Sequence, residues 1–113
     1  MNRGAAAEAL AASYLAACGL TIVQRNYRCR GGEIDLIARD GTTLVFVEVR
    51  LRSSSTFGGA RASITAAKRR RIKFAAGLFL SNLRREPPCR FDAVLLDALA
   101  TANIEWLRGI EGI

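Results

Sequence analysis

Two acidic residues stand inside apolar runs of β type, and a cation follows the second at a spacing of two. The first run is Gly32-Glu33-Ile34-Asp35-Leu36-Ile37; the second is Leu44-Val45-Phe46-Val47-Glu48-Val49-Arg50. Asp is a poor strand former, and a carboxylate among Ile, Leu, Val and Phe loses hydration unless something pairs with it. Two such placements in neighbouring strands point to a divalent metal or to catalysis. The competing reading is a structural ion pair, in which Arg50 neutralises Asp35 or Glu48 and no reaction follows.

Whether the two carboxylates meet depends on the turn between the runs. Asp40-Gly41 lies there, a dipeptide suited to a type I′ hairpin, in which both central residues take positive φ. With those two as the turn, Arg39 pairs with Thr42, Asp35 lies opposite Phe46, and Glu33 lies opposite Glu48. Asp35 and Glu48 are then diagonal neighbours on one face, with Cα atoms about 7–8 Å apart, and can lean onto one ion. A four-residue loop over 40–43 instead puts Asp35 directly opposite Glu48. A three-residue loop shifts the register by one and separates them. Arg50 shares the face of Glu48 because strand side chains alternate. If Glu33 faces Glu48, a cation must lie between them, either a metal or Arg50.

The rest of the chain supplies elements that could hold this hairpin. Residues 4–18 are Ala-rich and read as a helix, closed by Gly19 as a left-handed C′ residue. Residues 20–30 read as a strand, and Gly31-Gly32 turns the chain into the Asp35 strand. Residues 53–62 form a Ser/Gly loop. A second helix is expected over 64–83, with Ser63 as N-cap and Ile72, Ala76, Phe79 and Leu83 toward the core. Pro87-Pro88 ends that segment. Residues 90–96 and 102–107 read as two further strands. The order is helix, three strands, helix, two strands. It predicts one α/β (α+β) domain over 1–113, with a mixed sheet of about five strands flanked by helices.

Composition narrows the chemistry. The 113 residues suit a single modest core, and half are apolar, which argues against disorder. The chain has no His, so it has no His ligand, His general base or His-based triad. Cys18, Cys29 and Cys89 have no CxxC spacing and are odd in number, which speaks against a zinc site or disulfide framework and for a reducing cytosol. Leu15-Ala16-Ala17-Cys18 has the look of a lipoprotein cleavage box, but Glu8 interrupts the apolar stretch and only Arg3 charges the region before it, unlike an export signal. No segment reaches the roughly 20 apolar residues of a membrane span. Net charge is +7, and 15 of the 17 cations are Arg. Arg binds phosphate in bidentate fashion, which suits nucleic acid; an Arg-rich coding background gives the same excess.

The second helix begins with Lys68-Arg69-Arg70-Arg71 and Lys73. Cations there oppose the helix dipole, so they serve either as a phosphate-binding face or as a solvated one. Glu8, midway along the first helix, matters only if that helix packs beside the hairpin.

These residues resemble the bacterial UPF0102 (YraN-like) family, small proteins with a restriction-endonuclease-like, PD-(D/E)XK fold. The resemblance runs over almost the whole chain. It takes in Gly4, Glu8 with Ala9, Tyr14-Leu15, Gly19, Arg25-Asn26-Tyr27-Arg28, Gly32-Glu33-Ile34-Asp35-Leu36-Ile37, Val45-Phe46-Val47-Glu48-Val49, Arg52, Lys68 and Arg90-Phe91-Asp92. It implies that Glu8, Asp35 and Glu48 gather Mg²⁺ (or Mn²⁺), that the Val49 carbonyl is a further ligand, and that Arg50 stands where a catalytic Lys is usual. Arg cannot give up its proton in a protein, so it can act there only through charge; Arg52 and Lys68 are candidate substitutes. The fold is also similar to that of archaeal Holliday-junction resolvases, which implies branched DNA as a substrate and pairing into a homodimer.

The resulting expectation is a cytoplasmic Mg²⁺-dependent nuclease-like protein that hydrolyses phosphodiesters. Asp35, Glu48 and Glu8 would hold the metal. Arg50 would position water or phosphate. Lys68, Arg69, Arg70, Arg71, Lys73 and Arg52 would contact backbone phosphates without reading sequence. Two alternatives stand beside it: a member of the same fold that binds nucleic acid without cleaving it, and an interaction module whose carboxylates form only ion pairs.

Overall fold

The computed structural model describes residues 3–51, 64–97 and 103–110. The elements are α1 (Arg3–Ala17), β1 (Thr21–Cys29), β2 (Gly32–Asp40), β3 (Thr43–Leu51), α2 (Ala66–Ser81), β4 (Cys89–Leu96) and β5 (Ile104–Leu107). The strands form one sheet in the order β1-β2-β3-β4-β5. Neighbours are antiparallel except β3 and β4, which run parallel. A parallel pair needs a long crossover, and α2 lies in that connection. This is the mixed five-stranded α/β architecture that the alternation of patterns predicts. Among the described residues no helix is long and apolar enough to cross a membrane.

The helices cover opposite faces. Ala7, Ala11, Ala12 and Leu15 of α1 pack with Leu36, Ala38, Val45, Val47, Val94 and Leu96. Small Ala side chains let a helix lie close to a sheet. On the other face Ile72, Ala75 and Ala76 of α2 pack with Ile34, Ile37, Leu44 and Phe46. Phe79 meets Tyr27 and Phe46 edge-on, with ring centroids 5.4 and 6.2 Å apart. At Gly32 any Cβ would overlap the backbone oxygen of Arg71 and sit 3.1 Å from the Ala75 Cβ. Glycine here is what lets α2 lie against the start of β2.

Three local expectations are corrected. The β2–β3 hairpin pairs Arg39 with Leu44 and Asp40 with Thr43, so Gly41-Thr42 rather than Asp40-Gly41 forms the turn. Among the described residues of that turn only Gly41 takes positive φ, +62°, as at the first central position of a type II′ turn. Asp40 stays in the strand because the guanidinium of Arg90, on β4, holds its carboxylate at 3.0 Å. The second helix starts at Ala66 and is capped by Thr65, whose Oγ1 accepts the Lys68 N–H at 3.1 Å. It ends at Ser81, short of Leu83, which is 38% exposed instead of facing the core. Ser63, Arg52, the loop at 53–62 and residue 102 lie outside the described residues.

Candidate functional site

Asp35 sits where the sheet loses its regularity. In the β1–β2 ladder Tyr27 pairs with Ile34 and Arg25 with Leu36, but Asn26 and Asp35 between them do not pair. Asn26 takes φ +56°, a left-handed conformation that Asn tolerates better than most residues. The β2–β3 ladder runs from Asp40 and Thr43 only as far as Leu36 and Val47. Ile34 packs under α2 and Leu36 under α1, although strict alternation would place both on one face. The strand therefore resets at Asp35. In place of a ladder bond, Asp35 Oδ2 accepts the Val49 N–H at 2.8 Å. Short acidic side chains compete well for backbone donors of this kind.

That register, continued by one residue, sets Asp35 level with Glu48. This is the arrangement expected of the four-residue loop, not of the two-residue turn. Glu48 is 4% exposed. Both of its side-chain oxygens are buried, and among the described residues neither has a hydrogen-bond donor. Lys68 Nζ lies 3.6 Å and Arg50 Nη1 3.7 Å from Oε2, within ion-pair range but beyond good hydrogen-bond distance. Burial pushes the Glu48 carboxyl up to about 8. The Asp35 charge, and a hydrogen bond to Asp35 that only protonated Glu48 can make, push it the same way, while Lys68 and Arg50 pull it back. Glu48 thus keeps its proton to higher pH than an ordinary glutamate.

Asp92 is a second buried carboxylate, with different surroundings. It is 1% exposed and fully provided with donors. Arg90 Nε reaches its two oxygens at 3.1 and 3.2 Å, Trp106 Nε1 at 3.0 Å and the Gly109 N–H at 3.0 Å. The sequence reading missed this network, although Asp92 also stands in an apolar run, Phe91-Asp92-Ala93-Val94. The same local pattern conceals two different sets of hydrogen-bond partners.

The basic run of α2 divides in two. Lys68 Nζ bridges Glu48 and Glu33, 3.7 Å from the Glu33 Oε1. Arg71 reaches the same Glu33 oxygen at 3.4 Å, and Arg28 approaches its other oxygen at 4.0 Å. Lys68 lies one turn before Ile72, on the stripe that faces the sheet, and so points at the carboxylates. Arg69, Arg70 and Lys73, with Ala66, instead line an open pocket of about 280 Å³. Among the described residues the buried Arg69 Nε has no hydrogen-bond partner. The expected row of five equivalent phosphate contacts is thus two groups with different surroundings.

Glu8 is half-buried on α1. Its carboxyl is raised by burial first and then by the Asp35 charge, with Arg25 and Arg28 opposing, so it lies within the electrostatic reach of the pair. Among the described residues no three Asp, Glu or Cys side chains gather as a ready cage for a metal. The orphaned Glu48 oxygens beside Asp35 nevertheless suit Mg²⁺, which prefers one or two carboxylates and keeps several waters. Val49, named as a carbonyl ligand from the resemblance, borders the site through its N–H bond to Asp35.

Comparison with known proteins gives the family. The family model described as "Uncharacterised protein family UPF0102" matches residues 7–96. A UPF0102 protein of Nitrosospira multiformis is 57% identical over 106 residues, covering 94% of this chain and 89% of its own length. One from Cupriavidus pinatubonensis is 58% identical over 108 residues, covering 94% and 82%. One from Nitrosomonas europaea is 53% identical over 107 residues, covering 95% and 91%. Stretches from α1 through β4, carrying Glu8, Asp35, Glu48 and Lys68, fall inside the matched region, and the chain belongs to the UPF0102 family.

Proposed function

We propose that this protein is a metal-dependent phosphodiesterase acting on nucleic acid, with branched DNA as its substrate class and a restriction-endonuclease-like fold. One observation carries the reading: Glu48 is buried beside Asp35 with no donor for either oxygen among the described residues. Leaving a buried carboxyl without donors is costly; Lys68 and Arg50 approach it only at ion-pair distance, whereas buried Asp92 has a full set of hydrogen bonds.

Asp35 and Glu48 would hold Mg²⁺ or Mn²⁺, with the Val49 carbonyl beside them and Glu8 acting through water. Bound there, the ion would lower the pKa of a water and stabilise charge on the phosphate. Asp35, fixed by the Val49 N–H, keeps the carboxyl pair in register. The cations that flank Glu48 orient water or phosphate. Arg69, Arg70 and Lys73 receive backbone phosphates further along the strand, and Arg52 is assigned to the same role. The protein would act in the cytoplasm, as a homodimer.

A second reading has its own support. Arg50 occupies the strand position where a proton-exchanging Lys would be expected, and Arg cannot exchange its proton. On that reading the protein binds nucleic acid without cleaving it. The two are separated by incubating the protein with linear duplex, single-stranded, flap and four-way-junction DNA, and with RNA, in Mg²⁺ and Mn²⁺. Cleavage that disappears in Asp35→Asn supports the phosphodiesterase; salt-dependent binding without cleavage supports the binding module.

A further inference from the structure

We infer that Lys68, supplied by α2, is the cation that touches the reacting phosphate or its water, and that Arg50 serves as the counter-charge of Glu48. This rests on the phosphodiesterase reading above and assigns the role which that reading leaves shared between two cations.

Lys68 is fixed from both ends. Its backbone N–H is held by the Thr65 cap at 3.1 Å. Its ammonium lies between Glu33 and Glu48, at 3.7 and 3.6 Å. An ammonium has three donors and can turn them freely. With two directed at carboxylates, one remains for a water or a phosphate oxygen, and small rotations let it change partners without leaving the site. Arg50 is built differently. It projects from the same strand as Glu48, at 3.7 Å from Oε2, and its planar fork carries a fixed set of donors. The Lys68 side chain is also the more enclosed of the two, 21% exposed against 34%. The Lys that the strand lacks at position 50 is thus present at the same carboxylate oxygen, supplied by α2.

The position makes Lys68 a competitor of any metal for the charge of Glu48. Removing its charge therefore tightens metal binding, while the loss of the ammonium slows cleavage. A side chain that only stabilises the fold, or only attracts DNA from a distance, does not separate these two quantities in opposite directions.

The experiment uses the full chain and compares the wild type with Lys68→Met, Lys68→Arg, Arg50→Gln and Asp35→Asn. Mn²⁺ affinity is measured by calorimetry, and kcat and KM by cleavage of the DNA that the wild type cuts. In Lys68→Met, Mn²⁺ affinity should rise severalfold while kcat falls about 100-fold or more, on the scale of a lost charge-stabilising donor. Lys68→Arg should recover less than a tenth of the wild-type kcat, and Arg50→Gln should lose less than tenfold. The assignment is overturned if Lys68→Met keeps kcat within threefold, if its metal affinity falls together with its kcat, or if Arg50→Gln loses as much as Lys68→Met. Cleavage by wild type but not by Asp35→Asn, together with any of these results, leaves the phosphodiesterase standing and removes Lys68 alone. A silent wild type removes both.

Discussion

Asp35 closes the sheet with its side chain: Oδ2 accepts the Val49 N–H at 2.8 Å just beyond the point where the β2–β3 ladder stops at Leu36 and Val47. One bond does two things. It satisfies a backbone donor that the broken ladder would leave open, and it holds one carboxylate beside another. The two roles come apart by substitution. Asp35→Asn keeps an oxygen for Val49 and removes the charge; it should cost less than about 1 kcal/mol. Asp35→Ala leaves the N–H without an acceptor and should cost about 1–3 kcal/mol. Urea unfolding checks the difference. Equal losses in the two variants would mean that the bond to Val49 contributes nothing.

The Glu48 carboxyl makes stability depend on pH in a definite direction. Its folded value is raised from the ordinary 4.5 to about 8. Between those values the unfolded chain releases this proton and the folded chain keeps it. The unfolded state then binds fewer protons, so stability falls as pH rises across the window and levels off above it. Glu48→Gln removes that slope. The wild type should lose a few kcal/mol relative to Glu48→Gln between pH 5 and pH 9, by urea unfolding at fixed ionic strength. Parallel profiles would contradict the burial and pairing described for Glu48.

Asp92 should matter for stability and not for chemistry. Asp92→Ala leaves Trp106 Nε1 and the Gly109 N–H without their acceptor, and leaves Arg90 with Asp40 as a remaining partner. Losing a buried, charge-assisted network of this kind costs about 3 kcal/mol. Chemical denaturation should show that loss, and metal affinity measured on the folded fraction should stay near the wild-type value.

Gly32→Ala tests how α2 is seated. The new Cβ meets the Arg71 backbone oxygen, so the helix must move or the strand must bend, at about 1–3 kcal/mol for overpacking. Because Lys68 is carried by the same helix, its approach to Glu33 and Glu48 should weaken as well. Denaturation gives the first effect. Chemical-shift changes at Lys68, without change at Trp106 on the far edge of the sheet, give the second.

The order of elements is legible in the sequence because apolar runs and their periods survive folding unchanged. So is the nearness of Asp35 to Glu48, whose carboxyls act on each other. The choice of register is not local. Asp-Gly favours a turn, but Arg90 on β4 draws Asp40 into the strand, and nothing near residue 40 announces that partner. The irregularity at Asp35 depends on Asn26 in the facing strand adopting positive φ. The inward turn of Lys68 was readable in principle, since it lies one helical turn before Ile72; reading the cations as one block concealed it. Asp35 and Asp92 look alike in sequence, and their partners distinguish them: a backbone N–H and the Glu48 carboxyl for one, three separate donor groups for the other.

The most direct measurement is titration of Mn²⁺ into the wild type, Asp35→Asn and Glu48→Gln at pH 6 and pH 9. The wild type should bind at a site that needs both carboxylates, more tightly at pH 9 because Glu48 ionises as pH rises through about 8. Both variants should lose that binding at either pH. Equal affinity in all three proteins, or affinity that does not rise with pH, would contradict a metal centre built on Asp35 and Glu48.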